Sequence, residues 1–296
     1  MLSYRVTDIC FSKADAKVDT FFESANTFCF FFAIKVFFCS FASLSKRKKG
    51  GKKMYIDDKG IVLRCVKYDD KSFVAHLFTA SRGHVSFMIN GSHGRRSGMS
   101  ARLFQPLAFL SFQWDMKPNV SLQRMKEARL LFVQQDIPCH PIKRSVAMLL
   151  SEFLVYTLRD ESANPDLYLY IEHSMRWFDM VEDGYANFHI VFLLKLARFL
   201  GIAPNMEAYS EGDLFDLASG HFTPHGTAAV TVMSCYDTRL FFLLSGATYD
   251  TMNSIAMNRQ DRSRIVEYIA NFYAIHIPKF PTLQSLEILQ SLFFVE

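Results

Sequence analysis

The segment whose residue types are best suited to chemistry is Asn90-Gly91-Ser92-His93-Gly94-Arg95-Arg96-Ser97-Gly98-Met99-Ser100. It sets two adjacent arginines among glycines and serines and holds no acidic residue, so it suits an anion, phosphate above all. Gly91-x-x-Gly94 is not a phosphate-loop fingerprint, which makes the chemistry charge neutralisation and not the cradling of a nucleotide. The surrounding stretch adds Arg64, Arg82, Arg102, Lys117, Arg124, Lys126 and Arg129, together with Lys59, Lys67 and Lys71. Tyr68, Phe87 and Trp114 are the aromatics available for base stacking. Phe87 and Trp114 alternate into strand-like runs, where the burial habits of aromatics favour core over platform. Arg124 and Lys126 also fit a plain solvated strand face.

Catalytic constellations are missing. The chain contains no G-x-S-x-G, no H-E-x-x-H, no G-x-x-x-x-G-K-[ST] and no G-x-G-x-x-G after a strand. His221 and His225 stand four apart near Asp213 and Asp216, but Pro224 breaks any helix that would align them on a metal. Asp69-Asp70 and Glu182-Asp183 fall at turns, where solvated carboxylates are the default, and His189 and His276 are lone histidines on apolar helices. Cys65, Cys139 and Cys235 are single and widely spaced and no C-x-x-C occurs, which fits reduced thiols of a cytosolic protein. No catalytic residue, metal or cofactor is expected.

The charge distribution sharpens this. The chain has 296 residues, 50% of them hydrophobic, and a net charge of +4. That sum averages unlike parts: residues 1–53 carry ten basic and four acidic side chains, 54–133 twelve and six, and 134–296 eleven and nineteen. A basic small domain attached to an acidic larger one suggests an anion-binding module on a scaffold.

Residues 1–53 hold ten of the thirty phenylalanines, including a run from Phe28 to Cys39 with no helical or strand period. Lys35 interrupts the run and it is too short to span a bilayer. Lys46-Arg47-Lys48-Lys49 and Lys52-Lys53 follow the apolar stretch, the reverse of a secretory signal. The segment is expected to be translated from sequence upstream of a start at Met54, or disordered, with an interfacial anchor or a reverse-oriented signal anchor as the alternative.

The elements that must position the basic set follow from periodicity. Period-two alternation over Gly60–Tyr68, Ser72–Thr79, Val85–Ile89, 103–115 and 121–130 predicts five strands, with Gly83 in a hairpin turn that wants positive φ. Five short strands without helical period suggest a closed oligonucleotide-binding (OB) barrel over 54–133. Residues 134–296 read as an all-α domain, giving an α+β chain. Helices are expected over 142–159, from Pro165 to Met180, from Phe188 with Asn187 as N-cap to a stop at Gly201, over 237–245, over 262–276, and over 285–294. The helix from Phe188 is apolar on nearly every side and belongs at the centre. Asp213 to Phe222 looks like a short ordered excursion.

Specific strings then go beyond periodicity. Lys59-Gly60-Ile61-Val62-Leu63-Arg64, Gln105-Pro106-Leu107, Lys117-Pro118-Asn119, Leu122 to Glu127, Ala186-Asn187-Phe188, Arg198 to Asn205, Phe215-Asp216-Leu217 and the ending Tyr268 to Tyr273 with His276-Ile277-Pro278 together resemble the RecO family of bacterial recombination and repair proteins. The resemblance runs from Met54 to the C-terminus. It implies a non-enzymatic cytoplasmic mediator, with no membrane role, that binds single- and double-stranded DNA and anneals complementary strands. With RecR, and in some settings RecF, such proteins help load RecA onto DNA covered by single-strand DNA-binding protein. The family's barrel cations carry over onto Arg64, Arg95, Arg96, Lys126 and Arg129. Many members hold a four-cysteine zinc site in the helical domain, and this chain lacks those cysteines near 207–226, so Phe215-Asp216-Leu217 is expected to pack in its place. The acidic domain is expected to dock proteins, with Lys143, Arg144, Lys195 and Arg198 edging a groove for an acidic, apolar tail. A protein-interaction scaffold that no longer binds DNA is the competing class, and an enzyme acting on nucleic acid is third.

Overall fold

The computed structural model describes residues 55–70, 72–90, 101–117, 120–223 and 231–286. Residues 1–53, Lys71, Arg95, Arg96, His225 and most of the expected last helix lie outside them.

Five strands close into a barrel in the order β1-β2-β3-β5-β4: β1 (Ile56–Lys67), β2 (Ser72–Thr79), β3 (Gly83–Asn90), β4 (Phe109–Trp114) and β5 (Leu122–Leu130). All neighbours are antiparallel except β3 and β5, which run parallel from Ser86↔Leu122 to Met88↔Arg124. β1 completes the circle by pairing β4 with its first half and β2 with its second. Ala75, Leu77, Phe87, Ile89, Leu110, Phe112 and Trp114 turn inward and fill the barrel, as period-two alternation requires. Gly60 lies where β1 passes over this core, and a Cβ there would stand 3.0 Å from Phe112 Cε1 and 3.1 Å from Leu77 Cδ2.

The fourth strand is shorter than its periodicity suggests. A 3-10 turn occupies Ala101–Phe104, and Leu107 after Pro106 takes φ +61° before β4 begins at Phe109. Pro106 offers no N–H to a ladder. Leu107 N–H instead donates to Val62 O at 2.8 Å, and Val62 N–H to Ala108 O at 2.9 Å. The β2–β3 turn matches expectation: Gly83 has φ +71°, and Thr79 Oγ1 accepts the Arg82 N–H at 3.1 Å while donating to Gly83 O at 3.0 Å.

Among the described residues the helical part contains α1 (Pro141–Thr157), α2 (Pro165–Met180), α3 (Phe188–Phe199), α4 (Cys235–Ser245) and α5 (Arg259–His276). A small hairpin, β6 (Leu214–Asp216) and β7 (His221–Thr223), forms the excursion between α3 and α4. Asn164 caps α2 by accepting the Leu167 N–H at 3.1 Å. α4 and α5 start earlier than expected, since Ser234 and Asn258 supply their caps, the latter with Asp261 in a capping box. α3 is central, with Phe188 to Ala197 all buried. Tyr170 of α2 and Tyr273 of α5 donate their hydroxyls to its Phe192 and Leu193 carbonyls, each at 2.8 Å. Asn187 is not the side-chain cap its position suggests. It is buried and donates from Nδ2 to Met252 O (3.0 Å) and Ile255 O (3.1 Å), binding the start of α3 to the turn before α5.

Barrel and helices share one core. Ile61, Leu63, Phe78, Leu107 and Phe109 face outward from the barrel and are buried with α1, α2 and α3, and Ser151 of α1 donates to Leu63 O at 3.1 Å. Between the two parts, Phe132 stacks on Phe109 with centroids 4.9 Å apart, and the Arg176 guanidinium lies 3.8 Å over its ring.

Candidate nucleic-acid interface

β1 decides which side chains reach the outer surface. Residues Gly60 to Leu63 are buried on both sides, barrel core on one and helices on the other, and the register shifts between Val62 and Arg64. Beyond that bulge Arg64 and Val66 point out. The ladder carries their face across the sheet in two rows, Arg64↔His76↔Ser86↔Leu122 and Val66↔Val74↔Met88↔Arg124. The alternate row, Ala75↔Phe87↔Gln123, is buried.

This face combines apolar surface with positive charge. Arg64 and Arg124 are exposed, Val66 is 47% exposed, and Tyr68, just past the end of β1, is 68% exposed. Neither row contains a carboxylate. Lys67 at its margin pairs with Asp70 at 3.1 Å, but both side chains are so exposed that the pair holds little charge back. Asn90, from which the chain enters the Arg95-Arg96 segment, pairs with Ser72. Tyr68 N–H donates to Ser72 O at 3.0 Å, so the exposed tyrosine and the start of that segment share one end of the barrel.

The remaining cations of the expected set are dispersed. Lys126 and Arg129 lie on the neighbouring β4–β5 strip, where Lys126 Nζ contacts Gln113 Oε1 (3.3 Å), Glu127 (3.5 Å) and the Tyr55 ring (4.7 Å). Arg82 is exposed in the β2–β3 turn at the opposite end of β2, Arg102 is exposed in the 3-10 turn, and Lys117 is exposed before β5. The structure therefore sets Arg64 and Arg124 on one face, three strands apart, and leaves Arg82, Arg102, Lys117, Lys126 and Arg129 elsewhere on the barrel. Of the three aromatics, Phe87 and Trp114 are core: Phe87 packs edge-on against Phe112 and Trp114, each at 5.3 Å. Tyr68 alone of the three is exposed.

Two of the four cations expected at a docking groove are not at the surface. Lys143 is fully buried, its Nζ 2.5 Å from the Asp136 carboxylate and 2.5 Å from Val181 O. Lys195 is buried on the central helix with its Nζ 5.2 Å from the Tyr249 ring centroid. Both lie on helix faces turned inward, so neither can edge a surface groove; Arg144 and Arg198 are exposed.

The described residues between 205 and 235 do not fit a zinc ion. Asp216 is occupied by the Ala218 and Ser219 N–H groups and the Thr231 hydroxyl, and Cys235 Sγ donates to Gly212 O. Among the described residues no group of three or more His, Cys, Asp or Glu is placed to hold a metal. Phe215 and Leu217 are buried in the helical core. No helix among the described residues is long and apolar enough to cross a membrane. His76 and Met88, which sequence reading overlooked as surface-face residues, were accessible to it in principle through the period-two alternation of β2 and β3.

Residues 54–133 match the family model for the recombination protein O N-terminal domain, and residues 141–286 that for its C-terminal domain. The chain is similar to the DNA repair protein RecO of Bacteroides fragilis, 38% identical over 238 residues that cover 79% of this chain and 97% of the relative. It is also similar to the proteins of that name from Phocaeicola vulgatus (37% over 234 residues, 79% and 97%) and Porphyromonas gingivalis (33% over 244 residues, 81% and 100%).

Proposed function

The chain belongs to the RecO family of DNA repair proteins, and from that premise we propose that it is a non-enzymatic mediator of recombination and repair. It binds single- and double-stranded DNA through the barrel and anneals complementary strands in the cytoplasm. With RecR, and RecF in some settings, it helps load RecA onto DNA coated by single-strand DNA-binding protein. The observation that carries the DNA-binding part is the pair of carboxylate-free rows across β1, β2, β3 and β5, in which Arg64 and Arg124 flank Val66, Val74 and Met88. Arginines at this spacing neutralise phosphates, while the apolar strip and Tyr68 offer surface to unstacked bases. Neither contact reads base identity, which suits a factor that anneals any sequence. The Arg95-Arg96 pair is proposed to add phosphate contacts to those of this face, and Arg144 and Arg198 are proposed as the cations of the helical part that meet an acidic partner.

Fluorescence anisotropy with labelled single strands of several sequences, titrated with salt, tests this. Binding should be insensitive to sequence and fall steeply as salt rises. No binding at low salt would leave the scaffold function in its place, and strand cleavage on adding divalent metal would overturn the non-enzymatic part.

A further inference from the structure

The outer face carries a cluster that phosphate neutralisation by arginine does not use. His76 of β2 stands in register between Arg64 of β1 and Ser86 of β3, and Ser86 Oγ lies 2.9 Å from His76 Nδ1. The His76 ring stacks on that of His84, centroids 5.6 Å apart and planes 9° from parallel. Both imidazoles are half-buried. The charges acting on them come from Arg64 on β1 and, at His84, from Arg159 and Asp160 in the α1–α2 loop. His84 N–H also donates to Glu161 O at 3.1 Å in that loop. Asp160 is thus a single carboxylate set against two arginines, and it acts on His84 and not on His76.

We infer that His76 and His84 act with Arg64 as a proton-coupled phosphate site, taking up a proton when a nucleic-acid phosphate docks on this face. The inference rests on the proposed DNA-binding role of the face and adds a pH linkage to it. In the free protein burial, then Arg64 and His84, hold His76 down to about 4, and burial and Arg64 also lower His84, so both rings are neutral near pH 7. A phosphate brings the counter-charge that this cluster lacks. Once His76 is protonated both ring nitrogens donate: Nδ1–H satisfies Ser86 Oγ, and Nε2–H is left for the phosphate oxygen beside the Arg64 guanidinium. Stacked rings repel when both are charged, so uptake is limited to about one proton per pair. Because the bound state holds more protons than the free state, affinity rises as pH falls.

The test is anisotropy of the full chain with a labelled single strand at fixed salt from pH 8 to 5.5. Wild-type affinity should rise below about pH 7, approaching tenfold per pH unit for one proton. His76→Gln with His84→Gln should lose that rise, its affinity changing by less than about twofold between pH 8 and pH 5.5. Calorimetry of wild-type binding at pH 6 in two buffers of different ionisation enthalpy counts the protons without any substitution. Zero uptake, or a pH dependence unchanged in the variant, overturns the inference while leaving DNA binding intact. Failure of the wild type to bind DNA at any pH overturns the DNA-binding role itself.

Discussion

The carboxylate of Asp179, in the last turn of α2, accepts the main-chain N–H of Ile137 at 2.9 Å. The same carboxylate accepts Asp136 N–H at 3.0 Å and Gln135 N–H at 2.9 Å, so one buried side chain fixes the segment that joins β5 to α1. Lys143, reaching Asp136 and Val181 O, closes the same junction from the other side. Asp179→Ala leaves three N–H groups without their acceptor and should cost about 3 kcal/mol, read by urea denaturation. Asp179→Asn, which keeps one oxygen, should cost about half of that.

Stacking and core roles separate cleanly among the aromatics. Tyr68→Ala should leave the urea midpoint unchanged and weaken single-strand binding by the ~1–3 kcal/mol of a lost base stack. Trp114→Ala should instead remove about 3–5 kcal/mol of stability, since its ring is 2% exposed and packed on Phe87. If Tyr68→Ala binds single strands as tightly as wild type, Tyr68 is not a platform.

The two arginines of the outer face should act through charge alone. Arg64→Ala and Arg124→Ala should each weaken binding to every sequence alike and lower the slope of log affinity against log salt by about 0.7 on single strands. Arg95→Ala with Arg96→Ala should weaken binding to every sequence alike and flatten the slope by about twice as much, one phosphate contact for each arginine. Salt titrations of the variants beside wild type measure both effects.

His189 makes stability depend on pH. Burial, with Arg262 adding to it, holds the ring down to about 3, so it stays neutral in the folded chain while the unfolded chain takes up a proton near pH 6.5. Stability should therefore fall as the pH drops below 6.5, by about 1.4 kcal/mol per unit from this group. Nδ1 of His189 has no hydrogen-bond partner among the described residues, so His189→Leu should fold and show a shallower decline. Equal slopes for the two proteins between pH 6 and 5 would remove His189 from the account.

Gly83 and Gly201 offer a matched pair, both with φ +71°. A Cβ at Gly83 would lie 2.2 Å from Glu161 O, whereas nothing stands within 4 Å of one at Gly201. Gly201→Ala should cost about 1 kcal/mol from backbone conformation alone, and Gly83→Ala should cost more because the barrel turn must part from the α1–α2 loop. Thermal melts of the two variants give the steric part as their difference.

Much of this architecture was legible in one dimension. β2 and the Gly83 turn, the cap at Asn164, the stop at Gly201 and the buried α3 all follow from period, turn chemistry and capping, which depend on neighbours within a few positions. The split between a basic barrel and acidic helices is likewise a property of composition. Other features needed partners far along the chain. Asn187 has the residue type and place of an N-cap, yet it serves carbonyls 65 and 68 positions away. Lys143 looks like a surface cation on an amphipathic helix, yet it is buried because Val181 O, 38 positions on, and the Asp136 carboxylate receive its protons.

The sequence by itself determined where most of the barrel strands and the main helices lie, and which part of the chain carries the positive charge. Only the tertiary structure decided which cations share a face. The bulge in β1 turns Arg64 and Val66 to the outside, and the parallel pairing of β3 with β5 places Arg124 on the same face, while Arg82 and Lys126 go elsewhere. The physical reason is that strand period sets only an alternation of sides, whereas register and closure of the barrel, set by long-range pairing and by the core shared with α1 to α3, choose which side faces solvent.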